Sequence, residues 1–317
     1  MSLSQPFTLD PNVLWDSVII GGGPAGYNAA LYLHRKGLRP LLITKERGGQ
    51  VSLTNEVENY LGFKHIHGTD LTETFHNHVS EFEIDMLENT TVEKIEKLEP
   101  LFRLTLSNNE TVNTKTVILA MGGEHRRLGL DGEDRLEGKG VSYCAICDAP
   151  FFKNQEVVIV GGGDSAVEAA VDVSNWASHV HLVHRSTFRA QQILLERMMA
   201  KENITYELGS VVTEIEGEDH VTSVTIYNKE KDASYKRDAQ GIFIEIGQDP
   251  RIDLVKDWVT LDDQNQIVVD KYKNTSVPGI FAAGDVSDAP YKQIITAAAD
   301  GASAALSASN YITKMEG

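Results

Sequence analysis

The stretch Ser17-Val-Ile-Ile-Gly-Gly-Gly-Pro-Ala-Gly26 places a β-branched apolar run directly before a glycine turn. Residues 27–37 continue it as an alanine-containing helical segment, and residues 40–44 return to an apolar run. Such apolar runs are typical of buried parallel strands. The stretch therefore predicts a βαβ unit.

The same pattern occurs a second time. Glu156-Val-Val-Ile-Val-Gly-Gly-Gly-Asp-Ser165 again leads from an apolar run through a glycine turn into the alanine-rich residues 166–177. Residues 180–184 then form the returning apolar run. Two βαβ units in a chain of 317 residues, which is long enough for two domains, predict an α/β fold.

The glycines of both turns have the spacing of a dinucleotide-binding motif, Gly21-x-Gly23-x-x-Gly26 and Gly161-x-Gly163-x-x-Ala166. In this motif the first glycine permits the tight turn, and the second lets the backbone approach a pyrophosphate. A small third residue lets helix and strand pack closely, and the helix N-terminus offers N–H groups to the phosphates. We therefore expect two dinucleotide ligands; two purely structural turns are the alternative.

The end of the second strand of each unit bears on which dinucleotide binds. In the first unit the candidate acid for a ribose contact is Glu46, beside Lys45. In the second unit no acid is present, and the sequence is His184-Arg-Ser-Thr-Phe-Arg189. Cations at this position suit the 2′-phosphate of NADP. The alternative is a solvated basic turn.

The composition excludes several classes of protein. The formal net charge is −17, with 41% hydrophobic and 24% charged residues. An acidic chain without a basic block disfavours nucleic acid and anionic membranes. Neither an apolar run of membrane-spanning length nor a secretory signal is present, so a cytoplasmic protein is expected.

The chain has two cysteines, in the single motif Cys144-Ala-Ile-Cys147. A structural zinc ion needs four ligands, and no second cysteine pair exists; the close histidine pairs are His65/His67 and His76/His78. We therefore predict no metal site and interpret the motif as a redox dithiol. Asp148, which follows directly, can exchange a proton with a thiolate, although aspartate suits a helix cap equally well.

A flavin would connect these parts, because it can accept a hydride from a nicotinamide and pass the electron pair to a disulfide. Two further local predictions concern the C-terminal half. Residues 228–233 have the polar composition of a hairpin turn, and the alanine-rich residues 293–312 predict a helix.

Taken together, these motifs resemble the low-molecular-weight thioredoxin reductases along nearly the whole chain. The matching stretches are GGGPAG at 21–26, GGQ at 48–50, EVENYLG at 56–62, YCAICD at 143–148, GGGDSAVEAA at 161–170, and GDV at 284–286 with YKQII at 291–295. The motif VSYCAICDAP also resembles archaeal members. The larger glutathione-reductase type differs, since it carries its cysteines near the first glycine motif.

The resemblance implies two Rossmann-like, three-layer ββα dinucleotide-binding domains, the second inserted in the first. The FAD-binding domain would comprise residues 1–123 and 250–317. The NAD(P)H-binding domain, which carries the cysteines, would comprise residues 124–249. The resemblance also implies hinges near residues 122–123 and 247–248, a homodimer, and thioredoxin or a similar redoxin as the partner.

The resemblance also implies roles for individual residues. Cys147 is the sulfur on the flavin side, Cys144 forms the mixed disulfide with the partner, and Asp148 is the acid/base group. Phe151 and Phe152 fall where the family presents aromatic residues to thioredoxin. The FAD positions are Gly21, Gly23, Gly26, Gln50, Asn59, Asp285, Gln293 and Ile294. The NADPH positions are Gly161, Gly163, Asp164, Ser165, His184, Arg185 and Arg189.

One departure from the family concerns the phosphate loop. The family pattern has a second arginine after His-Arg, whereas here Ser186 follows Arg185 and the loop is one residue shorter. An arginine–phosphate contact contributes about 1.5–3 kcal/mol, so we expect NADPH binding with a reduced preference over NADH. The alternatives are NADH, ferredoxin or another donor, a different redoxin, or a flavin-bound redox sensor without turnover.

Overall fold

A computed structural model describes residues 9–10, 12–54 and 56–317 of the chain. These residues form two compact units. One comprises the described residues up to Glu124 together with Asp249–Gly317, and the other comprises His125–Gln248. The second unit is thus inserted in the first along the chain. Strands and helices are numbered below in chain order.

The first unit is built on a sheet whose centre is β1 (Leu14–Gly22), which pairs in parallel with β2 (Pro40–Arg47) and β6 (Thr111–Leu119). In the described part of the chain the strand order is β3-β2-β1-β6-β5-β4, and the last three form an antiparallel meander. The other strands are β3 (Asp85–Leu87), β4 (Val92–Leu98), β5 (Leu101–Leu106) and β17 (Ile280–Ala282), which pairs with β6. The helices are α1 (Pro24–Arg35), α2 (Gly68–Ser80) and α6 (Ile294–Glu316).

The second unit repeats this plan. Its parallel sheet has the order β11-β10-β9-β15-β8 among the described residues, and a separate antiparallel sheet has the order β12-β13-β14. The strands are β8 (Val141–Ser142), β9 (Glu156–Val160), β10 (His179–His184), β11 (Ile204–Leu208), β12 (Ser210–Glu216), β13 (Ser223–Asn228), β14 (Ala233–Asp238) and β15 (Gly241–Ile244). The helices are α3 (Ala145–Asp148), α4 (Asp164–Ser174) and α5 (Gln192–Met199). The remaining strands, β7 (Gly123–His125) and β16 (Gln248–Pro250), pair with each other where the chain passes between the units.

Both faces of each parallel sheet are covered, because successive side chains of a strand point to opposite faces. In β1, Val18 packs with residues of the antiparallel strands, whereas Ile19 packs with residues of α1 and α6. In β9, Val158 packs with residues of β12 and β13, whereas Ile159 packs with residues of α4. Each unit therefore has helix, parallel-sheet and antiparallel-sheet layers, which confirms the predicted α/β fold class.

The local predictions for the C-terminal half are also confirmed. The polar segment 228–233 joins β13 to β14, which pair in antiparallel register. The helix α6 begins at Ile294 with Gln293 as its N-cap, and it continues to Glu316, beyond the predicted end. Among residues 9–10, 12–54 and 56–317, no helix combines the length and the apolar character needed to cross a membrane.

Candidate functional site

The first glycine turn, between β1 and α1, is closed by contacts that exclude side chains. Gly21 has φ +115°, and a Cβ there would lie 2.2 Å from the carbonyl oxygen of Ala120. A Cβ at Gly26 would lie 1.7 Å from the carbonyl oxygen of Gly21. Because both neighbours are backbone atoms, the turn requires glycine at these two positions.

Gly23 differs, because the space in front of its Cα is open. Among the described atoms, a Cβ there would meet only the carbonyl oxygen of Gly48, at 3.9 Å. Gly23 is the N-cap of α1, and no described side chain caps this helix. An open glycine at an uncapped helix N-terminus fits the pyrophosphate of a dinucleotide.

Gln50 lies close to this turn. The Cα of Gly23 is 3.8 Å from the position of a Cβ at Gly49, the residue before Gln50. The amide Nε2 of Gln50 donates a hydrogen bond to the carbonyl oxygen of Gly123, at 2.6 Å. The structure thus brings Gln50 beside the open glycine, as expected of residues that share one ligand.

Other predicted FAD residues meet at the N-terminus of α6. Asn59 Nδ2 donates to Gln293 Oε1 at 3.2 Å, and Ile294 is the first residue of the helix. The backbone N–H of Gln293 donates to Thr296 Oγ1 at 3.1 Å, which forms part of a capping box. Long-range contacts therefore join the segment after residue 55 to the C-terminal helix.

Asp285 also lies near the first turn. A Cβ at Gly284, its neighbour, would lie 3.1 Å from the Cβ of Ala25 in α1. Burial raises the pKa of Asp285, and the ammonium group of Lys292 opposes this shift. Lys292 Nζ in turn donates to the carbonyl oxygens of Asp285, at 3.3 Å, and Ser287, at 2.5 Å. These bonds hold the backbone around Asp285, and its buried carboxyl group can accept or donate a hydrogen bond to a polar ligand.

The second glycine turn, between β9 and α4, repeats the first with one change. A Cβ at Gly161 would lie 2.3 Å from the carbonyl oxygen of Glu245. The third position is Ala166, which is fully buried. A Cβ at Gly163, the N-cap of α4, would meet no described atom within 4 Å. This turn therefore also fits a dinucleotide at its second glycine.

The loop after β10 is anchored to this turn. Asp164 accepts hydrogen bonds from the backbone N and the Nε2 of Gln191, at 2.8 and 2.9 Å. The backbone N of Arg189 donates to the carbonyl oxygen of Gly162 at 2.8 Å. Ser165 is exposed at the start of α4. The predicted NADPH residues thus lie together in the second unit.

Within this loop, His184 has a packing role that the sequence did not reveal. Its ring is buried, and it would lie 2.4 Å from a Cβ at Gly162. It is nearly parallel to the ring of Phe188, with centroids 6.1 Å apart. Burial lowers the pKa of His184, and Arg189 adds to this effect. Cationic contacts to a phosphate at neutral pH would therefore come from the exposed Arg185 and Arg189.

Cys144 and Cys147 form a disulfide, with their Cα atoms 5.3 Å apart. Both are partly buried. Cys144 is the N-cap of α3, and its Sγ accepts a hydrogen bond from the backbone N of Cys147 at 3.2 Å. A hydrogen bond of this kind stabilises the charged form of its acceptor, so it favours a thiolate at Cys144 once the disulfide is open.

Asp148 is not used as a helix cap. It precedes a 3-10 helix (Ala149–Phe152), but no capping bond from its side chain is found among the described residues. Instead Asp148 Oδ2 accepts a hydrogen bond from Ser142 Oγ at 2.6 Å. Burial raises the pKa of Asp148, and the bond from Ser142 opposes the shift. Of the two roles considered from the sequence, the geometry favours proton exchange.

Glu245 is a site residue that the sequence reasoning missed. It directly follows β15, and its Oε1 accepts a long hydrogen bond, 3.4 Å, from the backbone N of Ala145, between the two cysteines. Burial raises the pKa of Glu245 to about 7, and the Ala145 N–H opposes the shift. The available signal was a single carboxylate that interrupts the apolar run containing β15.

The two aromatic residues expected to face thioredoxin have different surroundings. Phe151 is 41% exposed. Phe152 is 8% exposed, and its ring packs edge-on against Phe243 with centroids 5.1 Å apart. The expectation for Phe152 is therefore wrong, because its apolar ring is buried in the core of the second unit.

A family model described as pyridine nucleotide-disulphide oxidoreductase matches residues 15–301. The chain belongs to this family. The crystal structure of thioredoxin reductase from Streptococcus pyogenes MGAS5005 is 39% identical, with a TM-score of 0.89 over 96% of this chain and 99% of that chain. Thioredoxin reductase from Giardia duodenalis is 34% identical, with a TM-score of 0.89 over 94% and 99%. The resemblance to low-molecular-weight thioredoxin reductases is confirmed.

A curated relative has a different name. It is a subunit of the alkyl hydroperoxide reductase of Staphylococcus aureus (strain Mu50 / ATCC 700699), and it is 39% identical over 301 residues, which cover 95% of this chain. The chain spans 59% of the length of that relative. As a family member, the chain is an oxidoreductase flavoprotein with a redox-active disulfide, and its cofactors are FAD and a pyridine nucleotide.

Proposed function

We propose that this flavoprotein passes electrons from NADPH through FAD and the Cys144–Cys147 disulfide to thioredoxin or a similar redoxin, as a cytoplasmic homodimer. The observation that carries the proposal is the disulfide itself. It lies in the same unit as the second glycine turn and is partly exposed. A dithiol in that setting is suited to exchange with a partner protein.

Glu245 connects the dithiol to the proposed nicotinamide turn. Its carbonyl oxygen closes the turn at Gly161, while its carboxylate accepts the N–H of Ala145. The segment that carries the cysteines is therefore held against the end of β15. The dithiol thus lies in the unit whose glycine turn the resemblance assigns to NADPH, with the first turn assigned to FAD.

Opening the disulfide breaks one S–S bond and consumes two electrons and one proton, which leaves a thiol at Cys147 and a thiolate at Cys144. Bound FAD would supply the electron pair, which it receives as a hydride from the nicotinamide. The raised pKa of Asp148 keeps its carboxyl protonated to higher pH, so it can donate a proton beside Cys147. The N–H of Cys147 meanwhile stabilises negative charge on Cys144.

The exchange step follows from these roles. The thiolate of Cys144 attacks the disulfide of the partner, forming an S–S bond and expelling one partner sulfur, which takes up a proton. Cys147 then gives up its proton and attacks Cys144, which restores the internal disulfide and releases the second partner sulfur, and this sulfur takes up a proton. The partner gains two electrons and two protons in total.

An apolar surface lies next to the disulfide. Ile146, between the cysteines, is 61% exposed, and Phe151 is the exposed member of its aromatic pair. Exposed apolar side chains beside a reactive group are typical of protein docking sites. This surface supports a redoxin, rather than a small thiol, as the substrate.

Anaerobic titration with NADPH tests the donor side. We expect the oxidised flavin absorbance to be lost with about two equivalents of NADPH per chain, since each transfers one hydride and both the flavin and the disulfide accept an electron pair. If the flavin stays oxidised with NADPH but is reduced by NADH or by reduced ferredoxin, that donor takes the place of NADPH in the proposed reaction. A flavin reduced by none of them would favour the sensor without turnover.

Two cysteine variants test the exchange roles. A single-cysteine redoxin activated with thionitrobenzoate releases the coloured thiol when another thiol attacks it. We expect Cys147→Ser, which keeps Cys144, to form a stable mixed disulfide with this redoxin, and Cys144→Ser to do so much more slowly. The reverse order would exchange the two roles, and equal rates would mean that neither cysteine is the specific attacking group.

The similarity to a component of alkyl hydroperoxide reductase supports a second partner, a redoxin that serves a peroxidase. Steady-state turnover with purified thioredoxin, a glutaredoxin-like protein and a peroxidase-linked redoxin separates the candidates. We expect the highest kcat/KM with thioredoxin. A higher value for the peroxidase-linked redoxin would move the assignment to it.

A further inference from the structure

The histidine pair His65/His67 is not used by the proposed reaction. The chain contains a second pair of the same spacing, His76/His78. The two pairs lie on different secondary structures, and side chains two residues apart share one face of an extended segment but not of a helix. His76 and His78 lie in α2, so they point in different directions.

His65 and His67 instead flank an antiparallel bridge. Ile66 and Val57 exchange both backbone hydrogen bonds, with N–O distances of 2.9 and 3.1 Å. Both of these side chains pack into a small apolar cluster with Leu71. The flanking residues therefore project from the opposite face, where Glu56 stands across from His67.

On that face three ligand-type side chains converge. His65 Nε2 lies 2.8 Å from Glu56 Oε2, and His67 Nδ1 lies 3.5 Å from Glu56 Oε1. One ligand atom from each of the three residues lies within 4.8 Å of the other two. Glu58 is close by, with its Oε1 3.7 Å from His65 Nδ1.

We propose that Glu56, His65 and His67 form a surface site for a divalent transition ion of the zinc type. Two imidazoles and one carboxylate are a known donor set for such ions, with water completing the coordination. Bonds of 2.0–2.2 Å in a tetrahedral site separate ligand atoms by about 3.3 Å, so the present separations require only small movements. Imidazole donors select against Mg²⁺ and Ca²⁺, which prefer oxygen.

The proposed site lies in a segment of the first unit that contacts the C-terminal helix α6. Its three residues bracket Asn59, which contacts Gln293 at the start of α6. An ion bound across the bridge would tie the two arms of this segment together. Zinc should therefore raise the melting temperature of the flavin-loaded protein, since a ligand that binds only the folded state stabilises it.

Isothermal titration of the full-length, FAD-loaded protein with ZnCl₂ tests the proposal. The protein is kept oxidised, so that Cys144 and Cys147 offer no thiolates to the metal. We expect one zinc ion per chain, with binding weakened at least ~10-fold in His65→Ala and in His67→Ala, equivalent to about 1.4 kcal/mol each. His78→Ala, an exposed member of the other pair, is the matched control and should bind zinc like the unaltered protein.

Glu56→Gln keeps the shape of the side chain and removes its charge, so it provides a third test if an alanine variant folds poorly. It should also weaken zinc binding. Unchanged zinc affinity in all three variants, or no zinc binding by the unaltered protein, would overturn the site. Equal displacement of zinc by Mg²⁺ would also overturn it, because it would indicate attraction to an acidic surface without imidazole ligands.

Discussion

The two glycine turns share one plan and differ in the residues that surround it. In the first, Gly22 faces Thr44, whose Oγ1 accepts the N–H of Gly22 at 3.0 Å. In the second, Gly162 faces the ring of His184. The register of the strands makes Thr44 and His184 equivalent, since Ile20 pairs with Ile43 and Val160 with Val183. A small hydroxyl thus closes one turn and an aromatic ring closes the other.

A second difference lies in the residue that follows the neighbouring strand, β6 in the first unit and β15 in the second, and that packs against the first glycine of each turn. Gly21 packs against the carbonyl of Ala120, and Gly161 packs against that of Glu245. The backbone role is the same, but the side chain in the second unit is a carboxylate next to the dithiol segment. The comparison shows that the turn geometry constrains the backbone tightly and leaves the chemistry of each unit to neighbouring side chains.

The largest effect is expected from Gly26→Ala. The added methyl would overlap the carbonyl oxygen of Gly21, a backbone atom that cannot move without displacing β1 from α1. We expect a loss of at least about 4 kcal/mol in the free energy of unfolding, measured by urea denaturation.

The matched control is Gly163→Ala, whose methyl would meet no described atom. It should change stability by less than about 1 kcal/mol while weakening nucleotide binding, because the methyl would occupy the space proposed for the pyrophosphate. Similar destabilisation by both variants would contradict the distinction between closed and open glycines.

A smaller, pH-dependent effect is expected from Glu245→Gln. The pKa of Glu245 is raised from 4.5 to about 7, so folding favours the protonated form. The unaltered protein loses stability as the pH rises from 4.5 through 7, by up to about 3 kcal/mol, and the loss is complete above that range. Urea denaturation at several pH values should show that the free energy of unfolding of the variant, relative to that of the unaltered protein, increases as the pH rises through this range. A stability difference that does not change with pH would show that the carboxylate is not buried in its charged form.

The smallest effect concerns the cations of the second turn. Arg189→Gln should weaken NADPH binding roughly 10-fold and leave NADH nearly unchanged, because the proposed contact of its guanidinium group is with the 2′-phosphate. Ser186→Arg restores the cation that the family pattern has and should strengthen NADPH binding by a similar factor. Dissociation constants from flavin-quenching titrations measure both. Equal changes for NADH and NADPH would place these residues away from the 2′-phosphate.

Much of the site could be predicted from the sequence, because its decisive parts are local. The glycines of the tight turn before α1 all lie within residues 21–26, and the two cysteines of the dithiol lie within residues 144–147. The environment of Glu245 could not be predicted, since it depends on a contact with Ala145, 100 positions away. The burial of Phe152 likewise depends on Phe243, which lies in β15.

The sequence by itself determined the two βαβ units, the pair of dinucleotide turns and the redox motif, because backbone geometry and residue spacing encode these features within short segments. Only the tertiary structure decided which side chains surround each turn, that His184 packs on its own glycine turn, and that His65 and His67 share a face with Glu56. These are outcomes of strand register and long-range packing, in which a shift of one residue turns a side chain to the opposite face.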